Sequence, residues 1–178
     1  MYNIVQLLRE SKKCFVEVVF NDKLEDVASL LYDGVVVSPG PGLPEKAGML
    51  MDFIDKNRAT TAILGICLGH QALAQSFGAK LIHLPQPMHG HKTVLKLTGS
   101  DDKLFMGIQD KISVGRYHSW VVDERSFPSE LIVSSRDEQG NIMSFFHKTM
   151  PIHGVQFHPE SYISDCGAEI ISNWLNLC

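Results

Sequence analysis

The stretch TAILGICLGHQALAQSFG, residues 61–78, decides the fold that this sequence predicts. The run TAILGI is apolar apart from one threonine and one glycine, and it predicts a buried β-strand. The run LGHQALAQSF predicts a helix that follows with almost no loop, and Gly78 stands where a helix C-terminus is usual. A buried strand that leads directly into a helix is typical of a parallel sheet covered by helices.

The segments before this stretch alternate between helix and strand patterns. The run GVVVS at 34–38 places three valines in a row, as in a strand buried on both faces. The segment PGPGLP then interrupts the chain. Apolar spacing predicts the remaining elements of this half, which are helices at 2–10, 24–32 and 45–57 and a strand at 14–20.

From about Lys80 onward the pattern favours strands, and one further helix is predicted at 166–177. The predicted strands of this half are 80–84, 92–98, 111–122, 130–136, 141–147 and 152–157. We therefore predict a single α/β domain over residues 1–178. Its sheet is expected to be doubly wound, mostly parallel and open, with helices on both faces and a strand-rich antiparallel edge.

The overall composition is that of an ordinary globular domain. The chain has 178 residues, of which 44% are hydrophobic and 20% are charged, and its net charge is -4. This mildly negative net charge does not favour binding to nucleic acid, and no lysine or arginine run indicates binding to an anionic membrane surface. No apolar run approaches the length of a membrane span, and the N-terminus lacks a signal-peptide pattern. We therefore expect a cytoplasmic protein whose partners are small molecules or proteins.

The cysteines and histidines do not form a recognisable metal motif. The cysteines are Cys14, Cys67, Cys166 and Cys178. They form no C-x-x-C pair, which argues against both a zinc site and a disulfide framework. His89 and His91 alternate in HGHKT, but two histidines without a third ligand more often belong to a polar loop. We expect neither a metal nor a cofactor.

The segment GICLG, residues 65–69, is the thiol version of the G-x-S-x-G nucleophile elbow, a tight strand-to-helix turn that exposes its nucleophile. The glycines are expected because no side chain fits beside such a turn. The positive end of the helix dipole stabilises negative charge on the Cys67 sulfur, and the Leu68 N–H is free to donate to an oxyanion. The alternative is that Cys67 is a small buried residue at an ordinary turn.

A candidate base lies at the end of another predicted strand. In VQFHPES, His158 follows the run IHGVQF and Glu160 lies two residues further, so both side chains leave one strand end on the same side. His158 is able to take the thiol proton while Glu160 orients the imidazole and stabilises its charged form. Taken singly, they fit a surface turn and a solvated carboxylate. Together with the elbow they indicate a catalytic triad.

Five segments jointly resemble a known family: SPGPGLP, ILGICLGHQALAQSFG, MHG, RYHSWVV and GVQFHPES, which extend over residues 38–161. They are similar to the class I (triad) glutamine amidotransferases, in particular to the glutaminase subunits of anthranilate synthase and aminodeoxychorismate synthase. The resemblance implies the same triad, Cys67, His158 and Glu160, and an amidotransferase fold.

The resemblance also implies where L-glutamine binds. The backbone of PGPG lines the pocket and completes the oxyanion hole that Leu68 begins, since its glycines allow close approach. Gln71 lies one helical turn after Cys67 on the same face. The segment Ser119–Trp120 holds the α-amino and α-carboxylate end of glutamine through its backbone. The full set of implied substrate-binding residues is Gly40, Pro41, Gly42, Leu68, Gln71, Ser119 and Trp120.

A separate synthase subunit is implied as the partner, because released ammonia needs an acceptor and no segment here suggests a site for one. The resemblance makes that subunit a chorismate-using enzyme. We expect anthranilate synthase of tryptophan biosynthesis, with aminodeoxychorismate synthase of folate biosynthesis as the alternative. Two further interpretations remain open: a non-catalytic binding subunit with a compromised site, and a hydrolase of other amides or γ-glutamyl peptides.

The N-terminus departs from the family pattern. Family members begin with a strand and a loop similar to LLIDNYDSFTYN, and only YN follows Met1 here. The usual first strand is therefore expected to be absent, which predicts an exposed sheet edge. A smaller departure is His91, an additional histidine within the usual HGK.

Overall fold

The computed structural model describes residues 2–24, 32–86 and 90–178. Within them the α-helices are α1 Tyr2–Glu10, α2 Leu50–Asn57, α3 Leu68–Ser76 and α4 Gly167–Leu175. The strands are β1 Gly34–Val37, β2 Ala62–Ile66, β3 Leu81–His83, β4 His91–Leu97, β5 Lys111–Arg116, β6 Trp120–Val122, β7 Leu131–Arg136, β8 Ile142–His147 and β9 Ile152–Val155. No helix in this part of the chain combines the length and the apolar character that a membrane crossing needs.

Seven strands form one sheet in the order β1-β2-β9-β8-β7-β4-β5, and β3 pairs with β6 separately. The strands β1, β2 and β9 run parallel. The pairings β9-β8, β8-β7, β7-β4 and β4-β5 are antiparallel. The predicted α/β class with a strand-rich antiparallel edge is confirmed. The described part of the sheet is mixed rather than mostly parallel, because consecutive strands of the second half pair with each other.

Helices pack on both faces of the sheet, as the sequence predicts. One hydrophobic core joins α1 and α4 to Leu64, and Leu8 belongs to it. The other joins α2 and α3 to Ile63, and Leu73 belongs to it. Ile63 and Leu64 are consecutive, fully buried residues of β2, whose alternate side chains point to opposite faces. Complete burial of each such side chain contributes about 1.5–3 kcal/mol, so β2 contributes to the cores on both faces of the sheet.

The strand predicted at 14–20 is wrong. These residues form no regular secondary structure, and Phe15 and Phe20 are exposed. An alternating apolar pattern forms a strand only where a neighbouring strand satisfies its backbone hydrogen bonds. Within the described residues β1 pairs with β2 alone, so no strand covers its other edge. The helix predicted at 24–32 lies outside the described residues except for its two ends.

The helix predicted at 45–57 is shorter than expected. The α-helix α2 begins at Leu50, and Pro44–Lys46 forms a separate 3-10 helix. Gly48 lies between them with a φ of 61°. A residue with positive φ cannot continue a right-handed helix, so the two turns remain distinct.

The strand predicted at 111–122 is divided into β5 and β6, which belong to different sheets. The division follows from a side chain that bonds the backbone locally. The Nδ1 atom of His118 lies 3.0 Å from the carbonyl oxygen of Trp120. This contact curls residues 117–119 and provides an alternative to a continued strand pairing.

Two glycines allow β1, β2 and α3 to approach one another closely. A Cβ atom at Gly65 would collide with the backbone of Gly69, and a Cβ atom at Gly69 would collide with the Val37 carbonyl. The first turn of α3 therefore lies directly against the ends of β1 and β2. This is the tight turn that the GICLG segment predicts, and it fixes Cys67 between the strand and the helix.

We expect Gly69→Ala to lower the free energy of unfolding, because the added Cβ forces α3 away from the Val37 carbonyl. Overpacking of this kind costs about 1–3 kcal/mol, whereas alanine in a helix interior otherwise stabilises by roughly 0.5–1 kcal/mol relative to glycine. The comparison is Gly99→Ala, where φ is 77° and no atom lies within 4 Å of the added Cβ, so this variant reports backbone strain at a positive φ without overpacking. Urea unfolding measures both variants. A Gly69→Ala protein as stable as the parent chain would contradict the close contact.

Candidate active site

Cys67 lies at the sharp turn between β2 and α3, where it occupies the N-cap position of α3. Its φ and ψ are 54° and -99°, a conformation that non-glycine residues rarely adopt. Two backbone hydrogen bonds hold this turn. The Cys67 N–H donates to the Val155 carbonyl at 2.8 Å, and the Gln71 N–H donates to the Cys67 carbonyl at 3.1 Å. The strained residue is thus held by β9 and by α3, at the positive end of the helix dipole.

His158 and Glu160 lie in the loop after β9, and β9 is parallel to β2, so their C-terminal ends share one edge of the sheet. The Nδ1 atom of His158 lies 2.8 Å from Oε1 of Glu160, and both side chains are largely buried. The backbone N–H of His158 donates to the Gly115 carbonyl at 3.0 Å. The Ser164 hydroxyl donates to the His158 carbonyl at 2.6 Å. The loop therefore presents the imidazole in a fixed orientation.

The surroundings of His158 raise its pKa to about 9. Burial alone lowers this pKa, but interactions with the side chains of Cys67 and Glu160 favour the protonated imidazole and outweigh burial. Glu160 engages Nδ1, whereas Nε2 is buried and makes no hydrogen bond of full geometry with any described residue. At neutral pH the imidazole is therefore protonated, and Nε2 remains available for proton transfer.

Tyr117 also contacts this imidazole, which the sequence reasoning missed. Its ring lies edge-on to that of His158, with the ring centroids 4.9 Å apart. Its hydroxyl lies 3.2 Å from Oγ of Ser161. The RYHSWVV motif drew attention to the segment, but its interpretation as a continuous strand gave no reason to place Tyr117 against His158.

The PGPG segment lies against the start of α3. Gly40, Pro41 and Gly42 form an exposed loop after β1. A Cβ atom at Gly40 would come within 2.7 Å of a methyl carbon of Leu68, and Gly42 has a φ of 79°. Leu68 is the first residue of α3, where a backbone N–H has no partner within the helix. The loop therefore contacts the side chain of Leu68, the residue after Cys67, and the role of the loop and of the Leu68 N–H as an oxyanion hole stays a prediction.

Gln71, Ser119 and Trp120 also come together. The Nε2 atom of Gln71 donates to the Trp120 carbonyl at 2.9 Å and to Oε1 of Gln156 at 3.1 Å. The Leu84 N–H donates to the Ser119 carbonyl at 2.8 Å. The predicted substrate-binding residues of α3 and of the RYHSWVV segment are therefore connected directly. Their contact with glutamine stays a prediction.

The described residues contain no group of three or more His, Cys, Asp or Glu side chains arranged to hold a metal ion. His91 is exposed at the start of β4. His89, its neighbour in the HGHKT segment, lies outside the described residues.

A thiol, a protonated imidazole and a carboxylate at one edge of parallel strands are the kinds of group that serve as nucleophile, acid and orienting group in thiol enzymes. The fold and the site therefore fit the class of α/β enzymes with a cysteine nucleophile. A family model described as glutamine amidotransferase class-I matches residues 1–177. The chain belongs to the class-I glutamine amidotransferase family, and the resemblance inferred from the sequence is confirmed.

Several relatives are named as components of anthranilate synthase or of aminodeoxychorismate synthase. The chain is 39% identical over 178 residues to anthranilate synthase component 2 of Azospirillum brasilense, covering 98% of this chain and 89% of that protein. It is 40% identical over 158 residues to aminodeoxychorismate synthase component 2 of Klebsiella aerogenes, covering 88% and 83%. It is 39% identical over 180 residues to the bifunctional protein TrpGD of Thermotoga maritima, covering 99% of this chain and 30% of that protein.

Solved structures share the fold. A crystal structure from Thermoplasma acidophilum superimposes with a TM-score of 0.83 at 27% identity, covering 99% of this chain and 86% of that one. A glutamine amidotransferase of Thermotoga maritima superimposes with a TM-score of 0.72 at 23% identity, covering 88% and 69%. The second likeness concerns the fold alone.

The pKa of His158 is expected to fall in both Cys67→Ala and Glu160→Gln, because each change removes a side chain that favours the protonated imidazole. Imidazole resonances followed by NMR across a pH titration measure this shift. His147 provides an internal control, since burial lowers its pKa and neither residue is among its neighbours. A His158 that titrates as in the parent chain in both variants would contradict the coupling.

Proposed function

We propose that this chain is the glutaminase component of a chorismate-using synthase and that Cys67, His158 and Glu160 are its catalytic triad. The observation that carries the proposal is that a strained cysteine at the start of α3 interacts with a histidine held 2.8 Å from a largely buried carboxylate. The names of the relatives support the kind of synthase. The free thiols of all four cysteines support a reducing, cytoplasmic location.

The reaction begins when the Cys67 thiolate attacks the side-chain amide carbon of glutamine. A carbon–sulfur bond forms, and the electron pair of the carbonyl moves to its oxygen. The Leu68 N–H and a backbone N–H near Gly42 stabilise this oxyanion. The backbone of Ser119 and Trp120 holds the α-amino and α-carboxylate end of the substrate, so the amide is placed over the sulfur.

The tetrahedral intermediate then collapses and breaks the carbon–nitrogen bond. The leaving nitrogen takes its proton from Nε2 of His158, which is protonated at neutral pH because its pKa is about 9. Ammonia departs, and the acyl group remains on Cys67 as a thioester. The neutral imidazole next takes a proton from an attacking water. Glutamate leaves, and the Cys67 thiolate and the protonated His158 are restored.

The ammonia is proposed to serve anthranilate synthesis, in which it replaces a hydroxyl group of chorismate on a separate subunit. The name of the Azospirillum brasilense relative favours this partner, and that relative aligns over 98% of the chain. Aminodeoxychorismate synthesis is the second candidate, because the Klebsiella aerogenes relative of 40% identity carries that name.

We expect Cys67→Ala to abolish glutamine hydrolysis, because no other group forms the thioester. His158→Ala is expected to lower kcat by roughly 10²–10⁴-fold, the usual contribution of a proton-transferring group. Glu160→Gln is expected to cause a loss about 10–100-fold smaller than that of His158→Ala, since Glu160 orients the imidazole without transferring the proton. Release of glutamate in the presence of the partner subunit measures all three variants.

The matched control for Cys67 is Cys14→Ala, because Cys14 is a partly buried thiol whose sulfur contacts only the Leu8 carbonyl among the described hydrogen bonds. Its activity is expected to equal that of the parent chain. Substantial glutamine hydrolysis by Cys67→Ala would contradict the proposed triad.

The partner is identified by mixing the chain with each candidate synthase subunit, glutamine and chorismate. Anthranilate fluorescence that depends on glutamine is expected with the anthranilate synthase subunit. Aminodeoxychorismate formed only with the other subunit would contradict the tryptophan assignment and establish the second candidate. Ammonium chloride in place of glutamine is the control that the synthase subunit itself is active.

A further inference from the structure

A chain of buried polar side chains extends from the turn after β7 to the start of α3. We call it the buried polar chain, and its members are Asp137, Arg116, His118, Gln71 and Gln156. All five are buried, and Arg116 and Gln156 are 0% exposed. Buried polar groups are generally hydrogen-bonded, and among the polar atoms of these five side chains only Nη2 of Arg116 and Nε2 of Gln156 are buried without a partner in the described residues.

Arg116 and Asp137 form the outer end of this chain. The Nη1 atom of Arg116 lies 2.7 Å from Oδ2 of Asp137, and both side chains are completely buried. The second carboxylate oxygen of Asp137 accepts backbone N–H groups of Gln139 at 3.0 Å and Asn141 at 2.8 Å. A buried ion pair is costly to assemble and does not by itself add stability. Its position therefore requires a further explanation.

The other end of the Arg116 guanidinium fixes the tautomer of His118. The Nε–H of Arg116 donates to Nε2 of His118 at 3.0 Å. Since Nε2 accepts this hydrogen bond, the proton of the neutral imidazole resides on Nδ1. Burial, assisted by the charge of Arg116, lowers the pKa of His118 to about 3. His118 is thus neutral at working pH, with a defined donor and a defined acceptor.

The donor of His118 is directed at the backbone of the predicted substrate-binding segment. Its Nδ1–H donates to the carbonyl oxygen of Trp120, with the nitrogen 3.0 Å from that oxygen, and Nε2 of Gln71 donates to the same oxygen at 2.9 Å. The adjoining Ser119 carbonyl is held by the Leu84 N–H at 2.8 Å. Two side-chain donors therefore converge on one peptide carbonyl of the segment that the proposed mechanism uses.

We propose that His118 is a positioning residue that fixes the Trp120 peptide, and through it the Ser119–Trp120 backbone, for recognition of the α-amino and α-carboxylate end of the substrate. The inference rests on the proposed function, because that function supplies the substrate. Arg116 holds the imidazole in the tautomer that donates, and Asp137 neutralises the guanidinium. The buried ion pair is explained by this arrangement, since it orients one hydrogen bond at the pocket.

The test compares His118→Asn with His118→Gln, because the two amides keep different halves of the imidazole. The amide nitrogen of asparagine takes the place of Nδ1 and keeps the donor to the Trp120 carbonyl. The amide of glutamine takes the place of Nε2 and keeps the contact with Arg116. Both variants retain a polar side chain, and thermal melting with circular dichroism establishes that each is folded.

Two alkylating reagents separate substrate recognition from the reactivity of the thiol. The first, 6-diazo-5-oxo-L-norleucine, carries the α-amino and α-carboxylate groups of glutamine, and the second, iodoacetamide, carries neither. Mass spectrometry of digested protein gives the rate of labelling at Cys67 for each reagent. The readout is the ratio of the rate with 6-diazo-5-oxo-L-norleucine to the rate with iodoacetamide. We expect His118→Gln to lower the ratio about three- to tenfold, the effect of one lost hydrogen bond. We expect His118→Asn to stay within about twofold of the parent chain.

The matched control is His147→Gln. His147 is a buried histidine whose Nδ1 accepts the N–H groups of Thr149 and Met150 at 3.1 and 2.9 Å. Its ratio is expected to equal that of the parent chain. Amide hydrogen exchange in residues 117–122 provides a second readout, and exchange is expected to be faster in His118→Gln than in His118→Asn.

Three results would overturn the inference: an unchanged ratio in His118→Gln, a ratio in His118→Asn lowered as much as in His118→Gln, or an equal loss in the His147 control. Failure of the proposed function looks different. In that case the glutamine analogue does not label Cys67 of the parent chain at all, while iodoacetamide still does, and the inference falls with it.

Discussion

The backbone of Gly69 lies directly against the Val37 carbonyl, and this contact holds the first turn of α3, and with it Cys67, at the ends of β1 and β2. Because no side chain separates α3 from the ends of β1 and β2, the strand passes into the helix within one residue. That residue is Cys67, which adopts a φ of 54°. The parallel pairing of β9 with β2 then brings His158 to the same edge of the sheet. A backbone packing constraint thus places the thiol of Cys67 at the edge of the sheet where His158 also lies.

Two histidines, the largely buried His158 and the buried His118, have opposite charge states because their neighbours differ in sign. The carboxylate of Glu160 and the thiol of Cys67 raise the pKa of His158 to about 9 in spite of burial. Burial and the guanidinium of Arg116 lower the pKa of His118 to about 3. The protonated histidine is suited to proton transfer, and the neutral one is suited to a fixed hydrogen bond. Each role follows from the charge that the fold places next to the ring.

The sequence predicted the parts of the fold that depend on local patterns. GICLG predicted the turn because its glycines are required by sterics, and the apolar runs predicted β1, β2 and the antiparallel edge. The strand at 14–20 failed because its pattern is local whereas strand formation needs a partner. The continuous strand at 111–122 failed because the hydrogen bond from His118 to the Trp120 carbonyl is invisible in a hydropathy pattern.

The pairing of His158 with Glu160 was predictable from their spacing, but the approach of Tyr117 depends on tertiary packing.

The proposed mechanism requires that Cys67 carries the acyl group of glutamine during turnover. The most direct measurement quenches the protein in acid while it hydrolyses glutamine with its partner subunit present, and then maps thioesters by mass spectrometry. We expect a γ-glutamyl group on the peptide that contains Cys67 and on no peptide that contains Cys14, Cys166 or Cys178. Ammonia released at the full rate without an adduct on Cys67, or with the adduct on another cysteine, would contradict it.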